Sequence, residues 1–551
     1  MTTSPPSANG LIVRLNHWFN SNILSLGREM RLSYLPPLMV YAAAGISGLT
    51  AIVGTFYVKE YLGLSAEFLA MLGFWMMLPW ALKMPLGHLV DLVWRWKSLL
   101  VYLGAGLIAL SIVIMIGLLG YTEEMLAVAS VEVWYVSAAL LAPIGYVLQD
   151  VVADAMTVEA VPRVDADGQK LDPNKRKQMH VTMQTLGRVA IIGGGILVSL
   201  ANVFLLRDAA SLPEAEKADI YLFVYQLALI IPLVSISGVV FAAWLHRREM
   251  GRFIAQGYSR QESESLLGIH TESPPINWWI LGGGLIFTVM SLSIGLSRIP
   301  NGEEIIFCLS MAIVLFLMWR LVGELEPEAR NVLVGTAFLV FIFRALPGPG
   351  AGSTWWMIDE LGFDQQFLAK LSLVGATLTL AGMFIFRRFM AERSIAYIIG
   401  FLTIASTLLS LPIIGMFFGL HEWTASVTGG IVDARFIALI DTALESPLGQ
   451  IAMIPMLAWI ANSAPEKLKA TFFAVMASFT NLALSASQLG TKYINQVFTV
   501  TREVKDTATD QISVPADYSE LGQLLIVVTI IGFILPLLAI LFVKHSRFRN
   551  A

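Results

Sequence analysis

The sequence holds one cysteine, Cys308, so no intrachain disulfide can form, and it has no Cys/His cluster spaced to bind a metal. Charge is scarce: Asp, Glu, Lys and Arg make up 14% of 551 residues, against 56% hydrophobic. A soluble globular chain has no use for so much apolar surface, so that class is excluded. No nucleophile elbow, P-loop or metal motif appears, so neither an enzymatic activity nor a cofactor is expected. The short alternating segments of a transmembrane β-barrel are missing too. No cleavable signal peptide is visible, and residues 1–31 are polar or amphipathic, suited to a membrane surface.

What is present is a series of long apolar runs, each able to cross a bilayer as a helix. They fall at about 33–57, 66–90, 98–120, 131–161, 180–206 and 219–245, then 277–296 and 303–321, then 331–347, 365–387, 394–418, 431–461, 468–496 and 521–543. The fold class is thus an all-α polytopic membrane protein of about 14 transmembrane helices, grouped six, two and six. The expected divisions are a cytoplasmic amphipathic N-terminus (1–32), a six-helix bundle (33–246), a cytoplasmic linker with an inserted helical hairpin (247–330), and a second six-helix bundle with its tail (331–551). Basic residues such as Arg95, Lys97, Lys175, Arg247, Arg248, Arg387 and Lys544 gather on one side of this layout. By the positive-inside rule, both termini are cytoplasmic and the chain is a multi-pass protein of the plasma membrane. Two six-helix repeats joined by a basic connection is the layout of a secondary transporter. The hairpin at 277–321 is expected at the periphery.

Between the second and third spans, Gly87, Asp91 and Arg95 stand where the major facilitator superfamily keeps its inner loop motif. The surrounding L-P-W-A-L-K-M-P (78–85), the acidic D-V-V-A-D-A-M-T-V-E of span 4 (150–159), F-R-A-L-P (343–347) and L-G-Q-I-A-M-I-P-M-L (448–457) resemble the folate–biopterin transporter family of that superfamily. The resemblance covers both halves. It implies a major facilitator fold and a folate- or pterin-like anionic substrate. The hairpin departs from the usual twelve-helix pattern. The Gln149-Asp150-x-x-x-Asp154 string also resembles a branch that moves peptidoglycan fragments and acyl-CoA, and a non-transporting factor for pigment delivery or complex assembly is a further alternative.

Charges inside spans mark the candidate site, because each costs roughly 3 kcal/mol or more in lipid. Asp150 and Asp154 share a helical face about 16 and 10 Å from the inner end of span 4. Arg188, about 12 Å into span 5, lies level with them. With Gln149 they form either an ion pair that locks two helices or an inner gate. Lys83 is expected to snorkel to the interface. Asp441 and Glu445, four apart near the middle of span 10, resist ionising together, so one would hold a proton. They are the expected proton-coupling pair, with hydrogen bonding to neighbouring helices, Arg344 or Arg435 as the alternative. Arg344 could bind a substrate carboxylate or neutralise Asp441. Gln450, Asn481 and Gln488 suit a cavity or interhelical bonds. Trp75, Trp80, Trp355 and Trp356 suit stacking on a flat ring or interfacial belts. The expected partners are a small solute, protons and the bilayer, with no nucleic acid, and the chain is expected to be monomeric.

Overall fold

The computed structural model describes residue 20 and residues 25–62, 64–162, 164, 169, 171–267, 276–297, 299–323, 325–449, 451, 469–505 and 512–548. Most of the amphipathic start, Gln450 and the stretch 452–468 lie outside these residues. Among the described residues, eleven helices are long and apolar enough to cross a membrane.

The first six predicted spans are helices, three of them interrupted. Span 1 is α1 (Leu35–Ile46) and α2 (Ala51–Tyr61) around a 3-10 turn at Ser47–Thr50. Span 2 is α3 (Ala66–Ala81) and α4 (Lys83–Leu92). The break at Leu82 has a local cause: Pro85 has no N–H to give the carbonyl of Ala81, so the helical ladder lapses there. Next come α5 (Lys97–Gly120), α6 (Val131–Ala160), α7 (Pro173–Leu205) and the sixth span, α8 (Glu214–Ala228) with α9 (Ile230–Ala255). Glycines set the closest crossing. A Cβ on Gly194 of α7 would stand 2.9 Å from the Cα of Gly45 on α1, so both backbones need bare glycine to touch.

The inserted hairpin is α10 (Trp278–Leu296) and α11 (Gly302–Val322). It sits outside the bundle, over the seam between α3/α4 and a helix of the last group, and shares a core with both. Phe74 and Met84, Phe287, Val314, Leu333 and Met476 belong to one buried cluster. Its ends are tied down by the Asn277 N–H donating to His88 Nε2 at 2.9 Å and by Trp75 Nε1 donating to Glu303 Oε1 at 3.3 Å.

The last group begins with α12 (Pro327–Arg344), opened by a proline at its first position, and α13 (Ala351–Asp359). Together they make one interrupted span, longer than the predicted 331–347. Then follow α14 (Gln365–Ile385), α15 (Ile395–Phe417), α16 (Ala434–Glu445), α17 (Lys469–Val497) and α18 (Leu521–His545). The strands among the described residues are one short ribbon between α17 and α18, with β1 (Val504–Lys505) antiparallel to β2 (Ile512–Val514). Leu103, Leu110, Leu285, Leu408 and Leu538 stay exposed on the surface a bilayer would cover.

The end of the bundle where α1 begins and α18 finishes is called here the terminal face, and its opposite the distal face. The architecture is a helical bundle with the major facilitator fold and an added hairpin.

Candidate functional site

Between the first and last groups of helices lies a cavity of about 610 Å³. Its walls come from interruptions in two helices. Ser47 and Thr50 line it from the turn in span 1, and Gly350, Thr354 and Trp355 from the restart of span 7. The segment between α12 and α13 reads L-P-G-P-G, and Gly350 adopts a φ of +77°, which a side chain would strain. Backbone left unbonded in lipid costs several kcal/mol, so an unwound segment there must find partners. Ser487, Thr491 and Asn495, four apart on one face of α17, supply them. Ser487 Oγ donates to the Leu346 carbonyl at 2.6 Å, and Asn495 Nδ2 donates to that of Pro349 at 3.3 Å. Thr491 Oγ1 accepts from the Gly348 N–H at 2.9 Å.

Tyr135, Tyr146, Tyr225, Trp355, Met76 and Gln488 give the cavity its character: aromatic and polarizable, with hydroxyl and amide groups. Among the described residues lining it, none is Asp, Glu, Lys, Arg or His. On α6, Ala138, Ala142 and Tyr146 line the cavity at steps of four, and the next two steps toward the terminal face are Asp150 and Asp154. A neutral chamber thus passes into a charged layer along one helix.

In that layer, Lys83 Nζ stands 2.6 Å from Asp150 Oδ2 and 2.8 Å from Asp154 Oδ2. Tyr41 OH donates to Asp154 Oδ1 at 2.6 Å. This corrects two expectations. Lys83 does not snorkel, because the break at Leu82 restarts the helix with Lys83 at its first position, on the carboxylates. Arg188 does not pair with them; among the described residues it makes no ion pair, although its charge reaches Asp150 and Arg344. Gln149 is not part of the layer either. It is buried on the back of α6, donating to Ser235 Oγ at 2.9 Å and to the Val101 carbonyl at 3.4 Å, so it ties α6 to α9 and α5.

Arg344 ends α12, where the negative end of the helix dipole favours a cation, just before the unwound segment. Its charge and that of Arg188 act on one another across the two groups of helices. Asp441 is buried on α16 with Oδ1 lacking a hydrogen-bond partner, and Glu445 is exposed one turn on. Neither lines the cavity. Arg435 is engaged elsewhere, 2.9 Å from Asp364 Oδ2. Asn481 Nδ2 donates to the Trp80 carbonyl at 3.2 Å, bonding α17 to α3 beside the break. Gly87 and Asp91 lie on α4, and Arg95 lies exposed in the 3-10 turn after it. A Cβ on Gly87 would meet nothing within 4 Å, so close packing does not explain that glycine.

At the distal face the two groups are joined. Lys59 Nζ lies 2.5 Å from Asp359 Oδ1. Gln365 Nε2 donates to Tyr221 OH at 2.9 Å, and Gln496 Nε2 to Glu67 Oε1 at 2.6 Å. Toward the terminal face the two groups are joined by hydrogen bonds beside the break, Asn481 to the Trp80 carbonyl and the Met84 N–H to Ser478 Oγ at 3.1 Å. The ion pair that spans them among the described residues is Lys59–Asp359, so the ionic closure lies on the distal side. Sequence reasoning missed Lys59, Asp359 and the tyrosines of the cavity. The one available signal was the P-G-P-G interruption of an apolar run.

Comparison with known proteins agrees with this geometry. The sequence profile of the BT1 family matches residues 44–549. The folate-biopterin transporter of Synechocystis sp. is 24% identical over 460 residues, covering 83% of this chain and 74% of that protein. Among solved structures, a POT family transporter in complex with a thioalcohol-conjugated peptide superposes with a TM-score of 0.58 at 11% identity, covering 93% of this chain and 96% of that one. A POT family transporter in complex with 5-aminolevulinic acid gives a TM-score of 0.58 at 12% identity, over 93% of this chain and 95% of the other.

Proposed function

Since this chain belongs to the BT1 family and is a membrane transporter, we propose that it moves a small organic anion of the folate or pterin kind by alternating access, driven by protons. The observation that carries the reading is the neutral aromatic cavity that passes along α6 into the Lys83–Asp150–Asp154 layer, with Arg344 at the end of α12 just before the unwound segment that lines the cavity. A flat heteroaromatic ring would stack on Trp355 or the tyrosines and bond through its edge to Gln488 and the hydroxyls. Its carboxylates would reach toward Arg344 and Arg188, whose planar guanidinium groups match them.

In this account Lys83, Asp150 and Asp154 set the terminal side of the pathway. Asp441, with Glu445, carries the proton. Distal closure with no ionic closure at the terminal face corresponds to an inward-facing form. Both termini are cytoplasmic in this reading, because the basic loops gather on their side.

The test is binding to the purified protein in detergent, with folate, biopterin and a muropeptide as ligands and tryptophan fluorescence as the readout. Folate should quench the signal. Trp355→Phe should remove most of the quench while leaving folate bound in a competition assay. Arg344→Gln should weaken folate at least about tenfold, the size of one lost charge-assisted contact, and biopterin much less. Muropeptide binding without folate binding would overturn the substrate assignment.

A further inference from the structure

The distal seal contains a cation that the seal does not use. Arg502, in the connection between α17 and α18, is 3% exposed, and its Nε and Nη2 have no hydrogen-bond partner. Its guanidinium lies over the ring of Trp355, 5.4 Å from the centroid. Asp359 is the carboxylate whose charge reaches it. Burial pushes the guanidinium below its ordinary range, the sign of a cation kept without full solvation. An unsatisfied buried charge is among the costliest features a fold can keep. Beside it, Asp359 is fully occupied, with Lys59 on Oδ1 and the Tyr518 hydroxyl donating to Oδ2.

The ownership of these groups is the key fact. Asp359, Trp355, Arg502 and Tyr518 all belong to the last group of helices and its connections. Lys59 alone belongs to the first. Among the described residues, Lys59–Asp359 is the one ion pair between the two groups. When the groups part at the distal face, Lys59 leaves and Asp359 loses its countercharge. Arg502 travels with Asp359.

We propose that Arg502 is the standby partner of Asp359: the carboxylate exchanges Lys59 for Arg502 as the distal mouth opens. The exchange keeps Asp359 paired in both forms, so opening does not strand a half-buried carboxylate. Two guanidinium nitrogens of Arg502, Nε and Nη2, stay unbonded in the closed form, which limits how stable that form becomes. The two cations therefore pull the equilibrium in opposite directions, Lys59 toward closure and Arg502 toward opening.

This rests on the reading of the chain as an alternating-access transporter, and the experiment separates the two. Spin labels at Glu216→Cys and Glu422→Cys, exposed positions on opposite sides of the distal face, are placed in a Cys308→Ser background, and their separation is measured in lipid nanodiscs. The unaltered seal should give a short and a long distance. Arg502→Gln should lower the long-distance fraction about tenfold, and Lys59→Gln should raise it by a similar factor. Arg502→Lys should restore much of the opening. Arg502→Met, which keeps the packing on Trp355 without the charge, should behave as Arg502→Gln. If Arg502→Met opens as the unaltered seal does, Arg502 is packing alone and the proposal fails. If Lys59→Gln shifts the equilibrium but Arg502→Gln does not, the exchange is wrong while alternating access stands. A single distance in every variant overturns both.

Discussion

Lys83 shows how a single charge holds the layer beneath the cavity together. It is the one cation within ion-pair distance of Asp150 and Asp154 among the described residues. Removing one partner of a buried pair costs more than never having had the pair, because the other charge is left without compensation. Lys83→Met should therefore lower stability by about 3 kcal/mol or more, visible as a marked fall in melting temperature in detergent. Adding Asp150→Asn and Asp154→Asn should recover most of that loss. Equal melting of the single and triple variants would mean that the carboxylates are held by something else. Asp441 is the opposite case, a buried carboxylate with an oxygen left unbonded. In the proton-coupling reading, Asp441→Asn abolishes gradient-driven uptake and spares solute exchange. Coupled uptake that survives the change would place the proton elsewhere.

Among the elements, the interrupted seventh span matters most. Gly350→Ala forces a side chain into a φ of +77° and brings a Cβ to 2.7 Å from Asn495 Nδ2. It should cost about 1 kcal/mol or more in stability and impair transport. Gly348→Ala, whose Cβ would meet only Thr491 Oγ1 at 4.0 Å, should be close to neutral. Thermal melting of the two variants side by side checks this. The same element marks where sequence reasoning stops. Hydropathy finds each apolar run and the grouping of spans, because length and composition alone decide whether a segment lies in lipid. The four-residue spacing of Asp150 and Asp154 is legible for the same reason: a helix fixes it locally. Partners across helices are not local. Lys83 meets the carboxylates because span 2 breaks at Leu82, and a straight-helix depth count cannot anticipate that. Trp355 reads as part of a loop because L-P-G-P-G ends the apolar run, yet the chain re-enters a helix and delivers that ring to the cavity. Arg188 is level with Asp150, but level is not facing. The hairpin reads as an appendage. Only packing reveals that it covers the seam of α3/α4 with α17 and lays Glu303 and Glu304 beside Lys492, at 3.5 and 3.0 Å.

At the scale of the whole molecule, polarity is arranged in three tiers. A paired distal seal lies over a neutral aromatic chamber, and a charged layer lies toward the terminal face. The chamber has room for a ring system, and in the proposed reading Arg344 and Arg188 receive the ring's acidic tail. A carrier built this way accumulates solute only if it can turn its chamber to either side and couple that turn to an ion. The direct measurement is uptake of labelled folate into proteoliposomes, with biopterin and a muropeptide in parallel, with and without a proton gradient. The account predicts saturable folate uptake that rises with the gradient, collapses when a protonophore dissipates it, and falls at least about tenfold in Arg344→Gln. Absence of gradient-dependent uptake of folate and biopterin, in vesicles where the protein is folded and binds neither, would contradict it.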